Sequence, residues 1–355
     1  MNHPSVNPFQ VPWMYNLLRD VPGYEPYFRE VTDASGKVQG RLQALVIREG
    51  RGLKGSLSAR AIVYEGPWIS PEAKDKQQPF EALINGLLAD LGRETIFFEF
   101  RNVYSFTPEQ HAYMCEQGFR FHDEVNVIVR LDPSVNPLTN FKANRRWQVR
   151  KGLARGAVII SRPTKEQIDA FYAILQALYT TKVRKPLPDR RFFHALHKES
   201  RHSQDERWLF APSETPPPRN KENGSSHTDT PSTAFLLVQH EGEIIGGVVL
   251  LLDADPDTGK VYVWYAAGRD KVFRGVYPSV LANWAGIHYA WLLGYRAFDF
   301  LGAGDPAIPY GVRDFKTTFG GKVTNHGRYL RINKPLLYHI GKQAVGVYSR
   351  LLFFR

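Results

Sequence analysis

Apolar and polar residues alternate through residues 25–63, in EPYFREVTD, KVQGRLQALVIRE and SARAIVYEG, and a DASG turn joins the first two as a hairpin. The period then lengthens to that of a helix from about Pro71 to Leu91, with Gly92 as its stop. TIFFEFR reads as a strand, a helix starts at Thr107-Pro108, and FRFHDEVNVIVRL reads as one further strand. The connection DPSVNPLTN, residues 132–140, leads out of this first unit.

A second unit opens with a basic helix, NRRWQVRKGLARG, and a short strand, AVIISRP. Helices follow from Thr164 to about Lys182 and from Asp189 to about Ser200, then a strand, RWLFAP. Residues 213–232, SETPPPRNKENGSSHTDTPS, are polar and proline-rich and read as a disordered loop inside the unit. TAFLLVQHE, EIIGGVVLLLD and KVYVWYAAG read as strands, Pro278 to Leu293 as a helix, and RAFDFLG as a strand. In YGVRDFKTTFGG, residues 310–321, helical spacing puts Val312, Phe315 and Phe319 on one buried stripe, with Gly320 and Gly321 as the stop. KVTNHGRYLRI reads as one strand. The helix after Pro335 carries Leu336, Ile340, Ala344, Val347 and Leu351 on one stripe.

Both halves run antiparallel strands, helix, strand, helix, strand. The expected fold is therefore α+β, with two tandem units, each a central mixed sheet flanked by helices. The expected limits are 1–140, 141–334 and a C-terminal helix over 335–355.

Charge narrows the partners. A net charge of +11 and a pI near 9.6 favour a polyanion: a nucleotide, an RNA or an anionic membrane surface. A single cysteine, Cys115, excludes an internal disulfide, and no run of about 18 apolar residues occurs. With no secretory signal readable at the start, the expected location is the cytoplasm, or the inner face of the membrane.

Several motifs fail. Asp253, Asp255 and Asp257 alternate as in a calcium loop, but Gly259 comes one place late and Trp264 stands where a glutamate belongs, so a hairpin turn is expected. His194 and His197 lack a third ligand, Gly302-Ala303-Gly304 lacks a following βαβ unit, and no metal is expected. Two features remain. The turn RDKVFRGVYPSVL could hold a phosphate through Arg269, Lys271, Arg274 and the backbone at Gly275, or be an ordinary basic turn. Lys316, one turn from Arg313, is either a solvated edge of an amphipathic helix or a group placed for chemistry.

GVYPSVLANWAGIHYA, YRAFDFLGAG and YGVRDFKTTFGGKVTNHGRYLRI resemble the second-domain core of the Fem-type peptidyltransferases, within the GNAT acyltransferase superfamily. RRWQVRKGLARG, FYAILQALYTTKVRKPLPDRRFF, RAIVYEGPWI and the stretch from EFRNVYSF to VNVIVRL are also similar to that family, so the resemblance spans most of the chain. It implies two tandem GNAT-like domains and transfer of an amino acid from aminoacyl-tRNA to an amine of a peptidoglycan precursor carrying a UDP or lipid pyrophosphate. It also implies no tightly bound cofactor. It assigns catalysis to Phe315 and Lys316, and the charge that develops in such a transfer gives Arg313 or backbone N–H groups an assisting role. Arg184, with Lys182 and Lys185 beside it, would contact the precursor's phosphates, and Tyr265 and Tyr310 would line the same substrate site. Two alternatives stay open: an acyl-CoA-dependent N-acyltransferase acting on an amino sugar or similar amine, and a non-catalytic tandem GNAT protein binding a nucleotide or RNA. The turn over Arg269–Pro278 lacks the fuller glycine pattern of acetyl-CoA-binding GNAT enzymes, and the coiled-coil arm of some Fem members is replaced by the loop 213–232. In relatives the C-terminal helix docks back on the first domain; its basic ends and Phe353-Phe354 leave contact with a membrane surface open.

Overall fold

Met14, Leu17 and Leu18 are spaced as one helical face, and in the computed structural model they lie on a helix absent from the sequence reading, α1 (Pro12–Arg19), which Val11 precedes in extended conformation. The structure describes residues 8–48, 52, 55, 57–183, 186–200 and 232–351, the last eight of these as backbone only. Arg184, Lys185, the strand RWLFAP and the loop 213–231 lie outside the described residues.

The first unit comprises the described parts of residues 9–124 and 325–351. The hairpin β1 (Tyr24–Thr32) and β2 (Val38–Ile47) pairs as expected, from Tyr24↔Ile47 to Thr32↔Val38. β2 also carries a short partner, β4 (Trp68–Ile69), and the sheet continues through β3 (Arg60–Glu65) and β5 (Phe97–Asn102). The helix expected from Pro71 is shorter, α2 (Gln77–Leu91), because the Asp75 carboxylate accepts from the Gln77 and Gln78 N–H groups and fixes the start there. Phe80, Leu83, Ile84 and Leu87 of α2 pack on Leu42, Ala44, Ala61, Val63, Phe98 and Phe100. α3 (Pro108–Glu116) starts where the sequence places it, with a reciprocal cap between Thr107 and Gln110.

The two long predicted strands are each broken, and the halves enter different sheets. FRFHDEVNVIVRL divides at Asp123-Glu124 into β6 (Arg120–His122) and β7 (Val125–Arg130). KVTNHGRYLRI divides at His326-Gly327 into β13 (Lys322–Asn325) and β14 (Arg328–Ile332), with Gly327 in the left-handed region at φ 64°. β14 lies between β5 and β6 in the first sheet, whereas β7 and β13 belong to the second. The sheets therefore do not divide at 140 and 334: the first unit takes back a strand from the end of the chain. The C-terminal helix, α9 (Pro335–Leu351), follows β14, and its Tyr338 ring meets Phe97 at 5.4 Å. Its expected inward stripe is not inward at the start, since Leu336 and Ile340 are exposed.

A half-buried ion network ties β5 to β14. Glu99 accepts from Arg101 and Arg328, each at 2.8 Å, and Arg328 also reaches Glu124 at 2.8 Å. Burial raises the Glu99 pKa, but the two guanidinium groups outweigh it and bring the value from 4.5 to about 2. A depressed carboxylate stabilises the fold above its unfolded pKa and loses that contribution as pH falls towards the folded one. The wild type's urea stability relative to Glu99→Gln should therefore shrink by about 3 kcal/mol between pH 5 and pH 2. A difference that stays constant with pH would refute this assignment.

The second unit spans the described parts of residues 125–324. It contains α4 (Ala143–Ala154), β8 (Val158–Ile160), α5 (Lys165–Leu178), a π-helical turn (Tyr179–Val183) and α6 (Arg190–Lys198). Then come β9 (Ser232–His240), β10 (Glu243–Leu252), β11 (Lys260–Gly268), α7 (Pro278–Leu292), β12 (Ala297–Gly302) and α8 (Gly311–Thr317). The strand order is β13-β7-β12-β11-β10-β9-β8. α7 is buried on nearly every side, from Pro278 to Trp291, as befits a helix apolar all round. The aspartate-rich stretch is the β10–β11 hairpin loop, with the Asp255 carboxylate accepting from the Asp257 N–H and the Thr258 hydroxyl.

Candidate active site

Two adjacent parallel strands set the geometry. β11 and β12 pair only at Lys260↔Ala297, Val261↔Phe298 and Tyr262↔Asp299. Beyond that point β11 stays bonded to β10 as far as Gly268, and β12 to β7 as far as Gly302, so the sheet opens between them. Each strand carries a register shift at the divergence, between Val263 and Tyr265 on β11 and between Asp299 and Gly302 on β12, the device by which strands bend away from a neighbour. The corresponding parallel pair of the first unit, β3 and β5, stays in register from Arg60↔Phe97 to Glu65↔Asn102. Among the described parallel pairs, only the one in the second unit opens.

Lys316 sits on the β12 bulge. Its ammonium donates to the Phe300 and Gly302 carbonyls at 2.8 Å each and to that of Leu301 at 3.4 Å. Leu301 is held at φ 55°, a strained conformation for a leucine, which turns these carbonyls out of the ladder. Beneath them is Asp299, fully buried, with one carboxylate oxygen accepting from the Leu301 N–H at 2.7 Å and the other from Asn126 at 3.3 Å. Burial pushes the Asp299 pKa up, against the opposing charges of Lys260 and Lys316. Lys316 is thus neither a solvated edge nor a freely swinging cation; its ammonium is fixed to the carbonyls of the β12 bulge.

α8 is held from both ends. Arg313 donates to the Asp305 carbonyl at 2.8 Å and the Ile308 carbonyl at 2.7 Å, fastening the loop ahead of the helix. The helix ends at Thr317, and the turn behind it closes at Gly320, φ 81°, where a Cβ would lie 2.9 Å from the Asn140 carbonyl oxygen. The expected stripe is only partly inward. Phe319 is fully buried, Phe315 is half-buried, and Val312, in the first turn, is 43% exposed. Tyr310, at the helix start, is also exposed. Arg145 of α4 lies over the Phe315 ring at 4.8 Å and donates to the Thr318 hydroxyl at 2.9 Å. The sequence reading passed over Arg145 and Asp299. A carboxylate between two core phenylalanines in RAFDFLG was the available signal for the second; nothing in the spacing of the basic helix singled out the first.

Tyr265 stands on the diverging part of β11, its ring among Phe193 at 5.0 Å, Phe192 at 6.0 Å and Tyr179 at 6.2 Å. Lys182 is exposed on the π-helical turn that begins at Tyr179. These groups share the β11 side of the opening with the basic turn, while Phe315, Lys316, Arg313 and Tyr310 share the β12 side.

The turn after β11 does not offer a bare helix start. The Asp270 carboxylate accepts from the Ser279 N–H at 3.1 Å and from the Ser279 hydroxyl, and Pro278 has no N–H to give. An aspartate already occupies the place where a pyrophosphate would meet α7, and its charge opposes an anion there. Arg269 is ion-paired to Glu243 and lies over the Phe273 ring at 5.2 Å. A Cβ at Gly275 would meet the Arg155 guanidinium, the far end of a flexible side chain that can move aside. Lys271 and Arg274 remain exposed. Beside this turn, α4 presents Trp147, 49% exposed, with its ring 5.8 Å from Tyr277 and the Lys151 ammonium 4.3 Å from its centroid.

Residues 226–317 match the family model described as an acetyltransferase (GNAT) domain. No curated protein sequence matches the chain. Among solved structures, the chain is similar to FemX, with a TM-score of 0.61 at 14% identity over 96% of this chain and 95% of that one. It is similar to a tandem GNAT protein from the clavulanic acid biosynthesis pathway, with a TM-score of 0.53 at 12% identity over 88% and 84%. It is also similar to L-PGS from Bacillus licheniformis, with a TM-score of 0.51 at 15% identity over 99% of both chains. At such identities the likeness is one of fold, and it spans both units. The chain thus has the mixed α+β tandem GNAT-like fold, with the acetyltransferase family match lying in the unit whose sheet opens.

Proposed function

We propose that this protein is an amide-forming aminoacyltransferase of the Fem type, moving an amino acid from aminoacyl-tRNA to an amine of an anionic peptidoglycan precursor. The observation that carries the choice of donor is the start of α7. Asp270 caps it where an acyl-CoA pyrophosphate would otherwise be bound, while the neighbouring α4 offers six cations and no acid over residues 142–155, together with the exposed Trp147 ring. Cations with an exposed aromatic suit a nucleic-acid backbone and a base better than a compact pyrophosphate.

In the reaction a neutral amine attacks the ester carbonyl and forms the C–N bond. The oxyanion collapses with loss of the ribose hydroxyl, which leaves with a proton drawn from the attacking amine. The protein's part is to position the two substrates and to favour the developing negative charge. Lys316, fixed to the β12 bulge, supplies a preorganised positive charge there, and its protons stay with the strand carbonyls. Phe315 and Arg145 set the pose of the helix that carries it. Tyr265, Tyr310, Lys182, Arg184 and Lys185 are proposed for the precursor.

The test compares donors. Transfer of a radiolabelled amino acid from charged tRNA to a precursor amine is expected, and Trp147→Ala should weaken tRNA binding by about 5- to 100-fold, the worth of one stacked base. Product formed from acetyl-CoA alone, with no tRNA bound by filter assay, would overturn the donor assignment in favour of an acyl-CoA enzyme.

A further inference from the structure

The first turns of α9 present an apolar face to solvent. Leu336 is 81% exposed and Ile340 62% exposed, one helical turn apart. Tyr338, which packs on Phe97 of β5, lies roughly opposite them round the helix, so the contact that seats the helix on the first unit turns Leu336 and Ile340 away from it. The sequence continues the same register with Ala344, Val347 and Leu351. Charge on this segment is of one sign. From Asn333 to Arg355 there are four cations, Lys334, Lys342, Arg350 and Arg355, and the chain holds no Asp or Glu after Asp314. Among the described residues no helix is long and apolar enough to cross a bilayer.

We infer that α9 is a surface anchor for anionic lipid membranes, lying in the headgroup plane with Leu336 and Ile340 inserted and Lys334 and Lys342 at the phosphates. An exposed apolar stripe on a basic, acid-free helix has the chemistry of an interfacial helix. An RNA would be served by the cations alone and would leave Leu336 and Ile340 in water. A second copy of this chain would bring like charges together. The inference is independent of which acyl donor the second unit uses, because it concerns the first unit and makes no use of the opened sheet.

The test is co-sedimentation of the full chain with vesicles of phosphatidylcholine alone and of phosphatidylcholine carrying about 30% phosphatidylglycerol. Binding should be at least about tenfold tighter to the anionic vesicles and should weaken in high salt. Leu336→Glu/Ile340→Glu should lower it by about tenfold or more. Because both side chains are exposed, the double variant should keep the wild-type unfolding temperature, which shows that the loss is not one of folding. Binding unchanged in the double variant would overturn the inference, as would absence of binding to either vesicle. A concentration-dependent dimer in sedimentation velocity that the double variant abolishes would overturn it too, assigning the face to a second copy.

Discussion

Phe319→Ala should lower the unfolding free energy by about 4 kcal/mol and leave α8 without its anchor. Phe319 is fully buried in the core of the second unit. Its ring meets Phe141 and Phe315 at 5.1 Å each and Phe300 at 5.7 Å, so one side chain joins α8 to β12 and to the segment leading into α4. Truncation forfeits the transfer free energy of the ring and leaves a cavity that three other aromatic rings cannot easily close. Val312→Ala is the internal control. Val312 is exposed and on the same helix, and its loss should stay within about 0.5 kcal/mol. Urea unfolding of the two variants decides the matter: a Phe319→Ala cost below about 1.5 kcal/mol would mean that α8 is not held by this contact.

The same helix shows how much a sequence can disclose. Helical spacing placed Phe319 inside, a local rule about one turn of chain, whereas the helix stops at Thr317, ahead of the double glycine. Val312 came out exposed, because which positions of a stripe meet the core depends on how the helix sits on the sheet, which local spacing does not encode. The strands show the larger limit. FRFHDEVNVIVRL and KVTNHGRYLRI are continuous in pattern, and nothing in alternation says that each half pairs in a different sheet. Gly327, at positive φ, was the one local hint. The divergence of β11 from β12 is likewise a matter of non-local pairing. The basic turn was legible as basic, but that Asp270 reaches nine residues on to Ser279, and so fills the helix start, depends on how the turn folds. Arg145 and Phe315 are 170 residues apart in sequence and meet only through the fold.

Lys316→Met should cost about 3 kcal/mol of stability and, on the proposed mechanism, slow transfer by about 100- to 1000-fold at temperatures where the variant is fully folded. Methionine keeps much of the side chain's length and removes every donor, so the Phe300 and Gly302 carbonyls of the bulge lose their partner. The second consequence falls on Asp299. Its folded pKa is already raised by burial, with Lys316 among the charges that oppose the rise, and removing that charge must raise it further. A carboxyl with a raised folded pKa costs nothing while protonated in both states. It becomes costly as pH climbs above its ordinary value, because the unfolded chain ionises and the folded one resists. The stability deficit of Lys316→Met should therefore be smallest in acid, where Asp299 is protonated in both folded proteins, and grow once pH rises past the raised wild-type pKa of Asp299, and Asp299→Asn in the same background should flatten that dependence. A merely structural lysine would show this pH profile with transfer reduced only in proportion to the unfolded fraction. A loss of transfer that persists in fully folded protein, with precursor and tRNA binding unchanged, is what a charge acting on the transition state requires.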